Sequence, residues 1–418
     1  MRRLGWAFVA LVLVCTVLLA PLWPGLRGVP PTEVSPSPAA TVTPAPSATP
    51  ALPARTTPYR AVWVSYLEWQ QLDFSSADAF SRGIDALLDN IAALGATVVL
   101  AQVRPFGDAL YPSTLFPFSH LCTGVQGQDP GFDPLALLVE AAHARGLELE
   151  AWINPYRLQA GSVPALCDES PAVQHPDWTK ATDTGLYLDP ANPDVRQYIA
   201  DGIRELCQNY PLDGIHLDDY FYPTTSATFD AADYAAAGTG LSLADWRRQN
   251  VNALLALCHQ VTQSYGVRLG VAPLADLSLC RDGQYSDAAL WLAEGGYADY
   301  LMPQLYWGQS YTLDGDDAHS LGKLAAQWAA LPRAPEVALY GGLGAYRIGD
   351  GDGSDGGAAE WQTGHALADQ LAVLESLGFT GAGLYRYASL WENPAWPDLA
   401  AAERQALADR WVTASPGY

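Results

Sequence analysis

From Tyr59 onward, short apolar or alternating stretches recur along the chain. Each is followed by a longer stretch with the three-to-four-residue apolar spacing of an amphipathic helix. Eight segments have the length and the β-branched and aromatic content of strands: 59–67, 97–103, 147–153, 213–218, 267–273, 299–307, 336–342 and 381–387. Helical spacing runs through 77–93, 134–145, 194–209, 242–264, 286–295, 319–330, 359–377 and 396–411. Gly95, Gly146, Gly266 and Gly378 stand between a helix and the next strand, where a left-handed residue closes the helix. Eight alternating strand–helix units predict a (β/α)8 TIM barrel; the competing arrangement is another doubly wound α/β sheet.

Alternation within the strands separates a helix-facing side from an inward side. In 147–153, Leu147, Leu149, Ala151 and Ile153 form the apolar set, which turns Glu148, Glu150, Trp152 and Asn154 inward. Ile215 and Leu217 take the helix side of the fourth strand and leave His216 and Asp218 inward. In the sixth, Leu301, Pro303 and Leu305 leave Gln304 and Tyr306 inward. Gln102 and Arg104 share one parity in the second strand, and the seventh offers Tyr340. Barrels of this class bind ligands at the C-terminal ends of their strands. The expected ring there is Gln102, Arg104, Trp152, Asn154, His216, Asp218, Gln304, Tyr306 and Tyr340. Aromatic faces, amides, a guanidinium and a carboxylate suit a sugar, which offers C–H faces for stacking and hydroxyls at its edges.

Asp218 is the strongest catalytic candidate. It closes the run DGIHLDDY beside Asp219, whose side chain diverges from it if the strand persists. Glycoside hydrolysis normally uses two carboxyls, roughly 5 Å apart for retention or about 6.5–9.5 Å for inversion. Candidates for the second are Asp108 and Asp219, then Asp276, with Glu68 and Glu392 also following strands.

Composition narrows the class of partner. A formal charge of −23 disfavours nucleic acid and anionic lipid, either of which needs a basic face. Arg2 and Arg3 precede an apolar run to about Ala20, so residues 1–28 read as a signal peptide or membrane anchor, with the rest of the chain outside the cytoplasm. Residues 29–58 are Pro, Thr, Ser and Ala almost throughout, a disordered linker leading into a barrel domain at 59–418. Any membrane contact is thus expected only through the N-terminal segment. Five cysteines follow the leader, and Cys122 with Cys167 is the preferred disulfide. The loop GDGDGSDGG (349–357) carries Asp350 and Asp352 at calcium-loop spacing. Asp355 stands where the turn glycine belongs and Trp361 where the last ligand belongs, so a flexible acidic loop is expected. No metal site or cofactor is implied by the histidine spacing or by any glycine motif, and the oligomeric state is left open.

Between Arg60 and about Leu390 the chain resembles the glycosyl-hydrolase-like family 10 of bacterial envelopes. The blocks carrying the resemblance are RAVWVSYLEW (60–69), QVRPFGDALYPS (102–113), FDPLALLVEAAHARGLELEAWINPYR (132–157), HPDW (175–178), DGIHLDDYFYP (213–223), WRRQNVN (246–252), YLMPQLYWG (300–308) and LYGGLGAYRIG (339–349). The resemblance implies a TIM barrel hydrolysing cell-wall glycan, in particular peptidoglycan strands stripped of their peptides. It favours Arg104, Asp108, Asn154, Tyr156, Arg157, Asp218, Asp219, Gln304 and Tyr306 as site residues, and Trp307 joins the expected binding set from the same block. The competing expectations are a catalytically weak glycan-binding barrel and a hydrolase of an α-glucan or other exopolysaccharide.

Overall fold

The structure, a computed structural model, describes residues 55–219 and 221–413. The expected leader and nearly all of the expected linker lie outside the described residues. Among the described residues, no helix is long and apolar enough to cross a membrane.

Eight parallel strands close on themselves. They are β1 (Tyr59–Val64), β2 (Val98–Arg104), β3 (Glu148–Ile153), β4 (Gly214–Leu217), β5 (Arg268–Val271), β6 in two pieces (Tyr300–Leu301 and Gln304–Leu305), β7 in two pieces (Ala338–Leu339 and Gly341–Gly344) and β8 (Gly381–Tyr385). Each pairs with the next, and β8 returns to β1 with Tyr59 opposite Gly381. β6 and β7 are joined at both ends of their interruption, Ala338 opposite Tyr300 and Gly342 opposite Gln304. The break in β6 falls at Met302–Pro303, where proline has no N–H for the ladder. The main outer helices are α1 (Ala77–Ala93), α2 (Pro134–His143), α3 (Pro193–Asn209), α4 (Leu243–Ser264), α5 (Ala288–Ala293), α6 (Leu321–Ala329), α7 (Ala366–Ser376) and α8 (Pro397–Thr413). Side chains of Ser76, Asp133, Asn192 and Ser242 accept backbone N–H groups at the starts of α1 to α4, as residue types of this kind do at helix starts. The four predicted closing glycines all have positive φ, between 70° and 86°.

Two apolar layers result from the alternation. Val62, Val99, Leu149, Ile215, Leu269 and Leu305 belong to the large layer under the helices. Tyr59, Ala61, Trp63, Leu100, Trp152, Tyr300, Met302 and Tyr340 fill the barrel itself. Large inward rings fit because glycines face them. A Cβ on Gly270 would lie 1.8 Å from the Tyr300 ring, and one on Gly383 would lie 2.7 Å from Trp63.

A hydrogen-bonded chain threads this interior. The Trp63 indole N–H donates to His216 Nε2 at 3.2 Å, which leaves Nδ1 as the donor to the Tyr300 hydroxyl at 2.7 Å. Tyr59 also donates to that hydroxyl, and Tyr300 donates to Glu150 Oε2 at 2.5 Å. Burial lowers the His216 imidazole to about 3 and raises the Glu150 carboxyl to about 7. Tyr300 and Arg55 pull Glu150 the other way, by less. The Glu148 carboxylate beside it pairs with Arg55, so the last residues of the expected linker are anchored to the barrel.

Glu150 yields a pH prediction. Its folded value stands above its ordinary 4.5, so its favourable contribution is complete below that pH and is lost as pH rises through about 7. At about 1.4 kcal/mol per unit this is roughly 3 kcal/mol. Urea midpoints measured from pH 5 to pH 8 should fall in the parent protein and flatten in Glu150→Gln. Equal slopes in the two proteins would refute this assignment.

Candidate active site

β4 ends at Leu217, so Asp218 and Asp219 lie just beyond the strand at the C-terminal mouth. Freed from strand geometry, their carboxyls reach opposite neighbours. Asp218 Oδ2 accepts from the Trp152 indole N–H at 3.2 Å and from Asn154 Nδ2, both on the β3 side. Asp219 accepts at both oxygens, from Gln304 Nε2 and Gln284 Nε2, each at 2.8 Å, on the β5–β6 side. Asp218 is 5% exposed and Asp219 8% exposed. Burial raises the Asp219 carboxyl above its ordinary value, against the pull of Gln284, Gln304 and Arg157.

A relay of amides fixes Asp218. The Tyr66 backbone N–H donates to Gln102 Oε1 at 2.9 Å, and Gln102 Nε2 donates to Asn154 Oδ1 at 2.6 Å. Asn154 is thereby oriented with its nitrogen toward Asp218. Each step crosses to the next strand, so β1 to β4 must all be in register for the carboxylate to sit where it does. Arg157 adds a cation: Nη2 donates to Asn154 Oδ1 at 3.4 Å and Nε to the Pro105 carbonyl at 2.8 Å, with the guanidinium 4.8 Å from the Phe106 ring centre.

Tyr306 completes the mouth on the β6 side. Burial, with Tyr385, Tyr346, Asp219 and Asp218 around it, holds its phenol well above the ordinary range. Its ring stacks on Tyr385 at 5.7 Å, and Tyr385 stands edge-on to Trp63 at 6.0 Å and to Trp152 at 6.5 Å. Trp307 is half-buried past the end of β6, beside Tyr311 and His319, a rim position.

The structure thus brings together Gln102, Trp152, Asn154, Arg157, Asp218, Asp219, Gln304 and Tyr306, and it places other expected site residues elsewhere. His216 faces inward but is wholly buried below the mouth, both ring nitrogens engaged. Tyr340 stacks on Tyr59, which opens β1, at 4.0 Å, deep in the barrel and toward its opposite end. Arg104 is turned out of the barrel by a register shift between Gln102 and Arg104. Its guanidinium lies 4.1 Å from the Phe116 ring centre and against α3, where a Cβ on Gly202 would be 3.1 Å from Nη1. Tyr156 is fully buried in the helix-side layer.

Asp108 lies in the loop after β2. It is 0% exposed, accepting from His120 Nδ1 at 2.8 Å and from Gln126 Nε2, and so braces the β2–α2 loop. The other candidate acids are likewise engaged. Glu68 forms a capping box with Ser65 and an ion pair with Arg386. Asp276 caps a helix start and meets His319 at 3.0 Å, which hold its carboxyl far below the usual range. Glu392 neighbours Glu68 and Arg386. In the loop after β7, Asp352 accepts from the Gly308 N–H, Asp355 from the Gly315 N–H and Asp350 from the Trp396 indole, so this loop is tied down by its acids. Among the described residues, no group of three or more His, Cys, Asp or Glu could hold a metal ion. Cys122 and Cys167 are free thiols, Cys122 turned into the apolar layer and Cys167 set against Gly127.

Gln284, Trp63 and Tyr385 are contributors that the ring of expected residues omitted. Inward alternation on β1 and β8 points to Trp63 and Tyr385. Gln284 comes from a loop and carries no sequence signal.

Amides and stacked aromatic rings around an acid pair at the C-terminal mouth of a closed barrel suit a sugar, with its C–H faces and edge hydroxyls. The chain belongs to the glycosyl hydrolase-like 10 family, whose model matches residues 58–358. It is 34% identical over 316 residues to the glycosyl hydrolase YngK of Bacillus subtilis, covering 69% of this chain and 61% of that protein. To the glycosyl hydrolase DigH of Escherichia coli K12 it is 32% identical over 374 residues, covering 80% of this chain and 82% of that one. Among solved structures, the glycoside hydrolase domain of PgaB from Bordetella bronchiseptica shares the fold with a TM-score of 0.52 at 16% identity, over 84% of this chain and 99% of that one. An α-L-fucosidase isoenzyme from Paenibacillus thiaminolyticus does so with a TM-score of 0.55 at 16% identity, over 86% of this chain and 50% of that one.

Proposed function

We propose that the protein hydrolyses a glycan of the cell envelope outside the cytoplasm, with peptidoglycan strands lacking peptides as its substrate. The observation that carries the chemistry is the Asp218–Asp219 pair, held by the Trp152 indole and by the side-chain amides of Asn154, Gln284 and Gln304. Support for the location comes from the basic, then apolar, then Pro/Thr/Ser-rich order of residues 1–58, which suits a secreted or membrane-tethered chain. Support for a sugar polymer over nucleic acid comes from the amide and aromatic lining and the formal charge of −23.

The test is release of new reducing ends. Purified glycan strands freed of peptides should be cut, while an α-glucan and exopolysaccharide panel should not. Cleavage confined to the panel would replace the substrate, and binding without cleavage of any polymer would make the protein a glycan-binding barrel.

A further inference from the structure

Two-carboxyl hydrolysis needs its carboxyls on either side of the scissile bond, roughly 5 Å apart for a covalent intermediate or about 6.5–9.5 Å apart to admit water. The pair here consists of successive residues at one strand end. Every other acid named above as a candidate braces a loop, caps a helix or pairs with a cation, except Glu392, which sits with Glu68 and Arg386 after β8. The site therefore sets two acids side by side at one strand end, while Asp108, Glu68 and Asp276 are engaged by partners of their own.

We infer that the substrate supplies its own nucleophile, the carbonyl oxygen of a 2-acetamido group, with Asp218 accepting from that group's N–H and Asp219 protonating the departing oxygen. This rests on the reading of the protein as a hydrolase of peptidoglycan-type glycan, whose sugars carry such a group. The assignment of roles follows from the surroundings. Asp218 gathers both of its N–H donors, from Trp152 and Asn154, at Oδ2 on the β3 side, so it already serves as an N–H acceptor there. Asp219 is the acid whose burial favours the protonated form.

In the first step the acetamido oxygen bonds to C1 as the C1–O glycosidic bond breaks. The bonding pair leaves with the departing oxygen, which takes the proton from Asp219. Positive charge spreads over the new five-membered ring, and the N–H held by Asp218 stabilises it. In the second step water gives a proton to the Asp219 carboxylate and its oxygen bonds to C1. The ring C–O bond breaks, the acetamido group is restored, and C1 keeps its original configuration. No oxidant or further co-reactant is consumed.

The experiment uses denuded strands whose amino sugars carry acetyl, fluoroacetyl, difluoroacetyl or trifluoroacetyl groups, with proton NMR of the first anomer released. Retention is expected, with kcat falling roughly 100-fold or more across the series, because an oriented intramolecular nucleophile supplies much of the rate. A thiazoline analogue of the ring intermediate should inhibit competitively. Inversion, or a kcat that does not change with fluorination, would overturn the inference while leaving the proposed function intact. Failure to cut the acetylated strands at all would overturn the proposed function and this inference with it.

Discussion

Asp218→Asn is expected to lower kcat on glycan strands by about 10³-fold, the upper range for losing one group that stabilises charge developing in the transition state, with the fold and substrate affinity retained. The exchange is isosteric, and the new amide oxygen can still accept from Trp152 or Asn154. The lost quantity is the negative charge that balances charge developing at C1 and its substituent. Asp219→Asn should behave differently. A missing proton donor matters most for a poor leaving group, so its deficit should be large on glycan and should shrink on aryl glycosides with acidic phenols. The Asp218→Asn deficit should persist on both. Far-ultraviolet circular dichroism and urea midpoints like those of the parent would confirm that chemistry, not folding, is lost. Parent-like turnover of glycan by Asp218→Asn would refute its catalytic assignment.

How much of this was legible in the chain depended on which physical signal carried it. The barrel was legible because both of its periodicities are written in apolar residues, and the predicted helix 77–93 matches α1 end to end. Parity put Trp152 and Gln304 on the inward side because burial enforces it along β3 and β6, and Asn154 and Asp218 follow one residue past the ends of β3 and β4. It misplaced Arg104 because a register shift is a local backbone event that leaves no mark on alternation. His216 and Tyr340 show a different gap: parity says inward, but not how deep. Both lie among the rings that fill the barrel, below the level where strands give way to loops. Asp108 looked catalytic from its place in a loop after a strand. Only the fold shows that His120 and Gln126 return to meet it. The partners of Asp219 were the least visible, since Gln284 reaches it from a loop across 65 positions of sequence.

Asp230→Ala is expected to destabilise the barrel by about 3–5 kcal/mol, the cost of leaving a buried cation unpaired. Arg247, from the WRRQN block, has no exposed side-chain surface, and neither has Asp230. The pair is bidentate, Nε to Oδ2 at 2.9 Å and Nη2 to Oδ1 at 2.5 Å. Arg247 also donates to the Ser226 carbonyl and to the Tyr285 hydroxyl, and its guanidinium lies beside the edge-on Tyr222 and Tyr285 rings, 5.2 and 4.9 Å from their centres. One arginine on α4 thus fastens the loop that follows the acid pair. It also holds Tyr285, whose neighbour Gln284 donates to Asp219. Loosening it should therefore act twice, on stability and on the site. Urea unfolding should show the full loss in Asp230→Ala and a smaller one in the Asp230→Leu/Arg247→Met double variant, which leaves no buried charge unpaired. The double variant should still show an altered pH–rate profile, because Gln284 would no longer be held toward Asp219. A single variant within about 1 kcal/mol of the parent would refute the clamp. A stable double variant with the parent's pH profile would confine the clamp's role to folding and separate it from the position of Asp219.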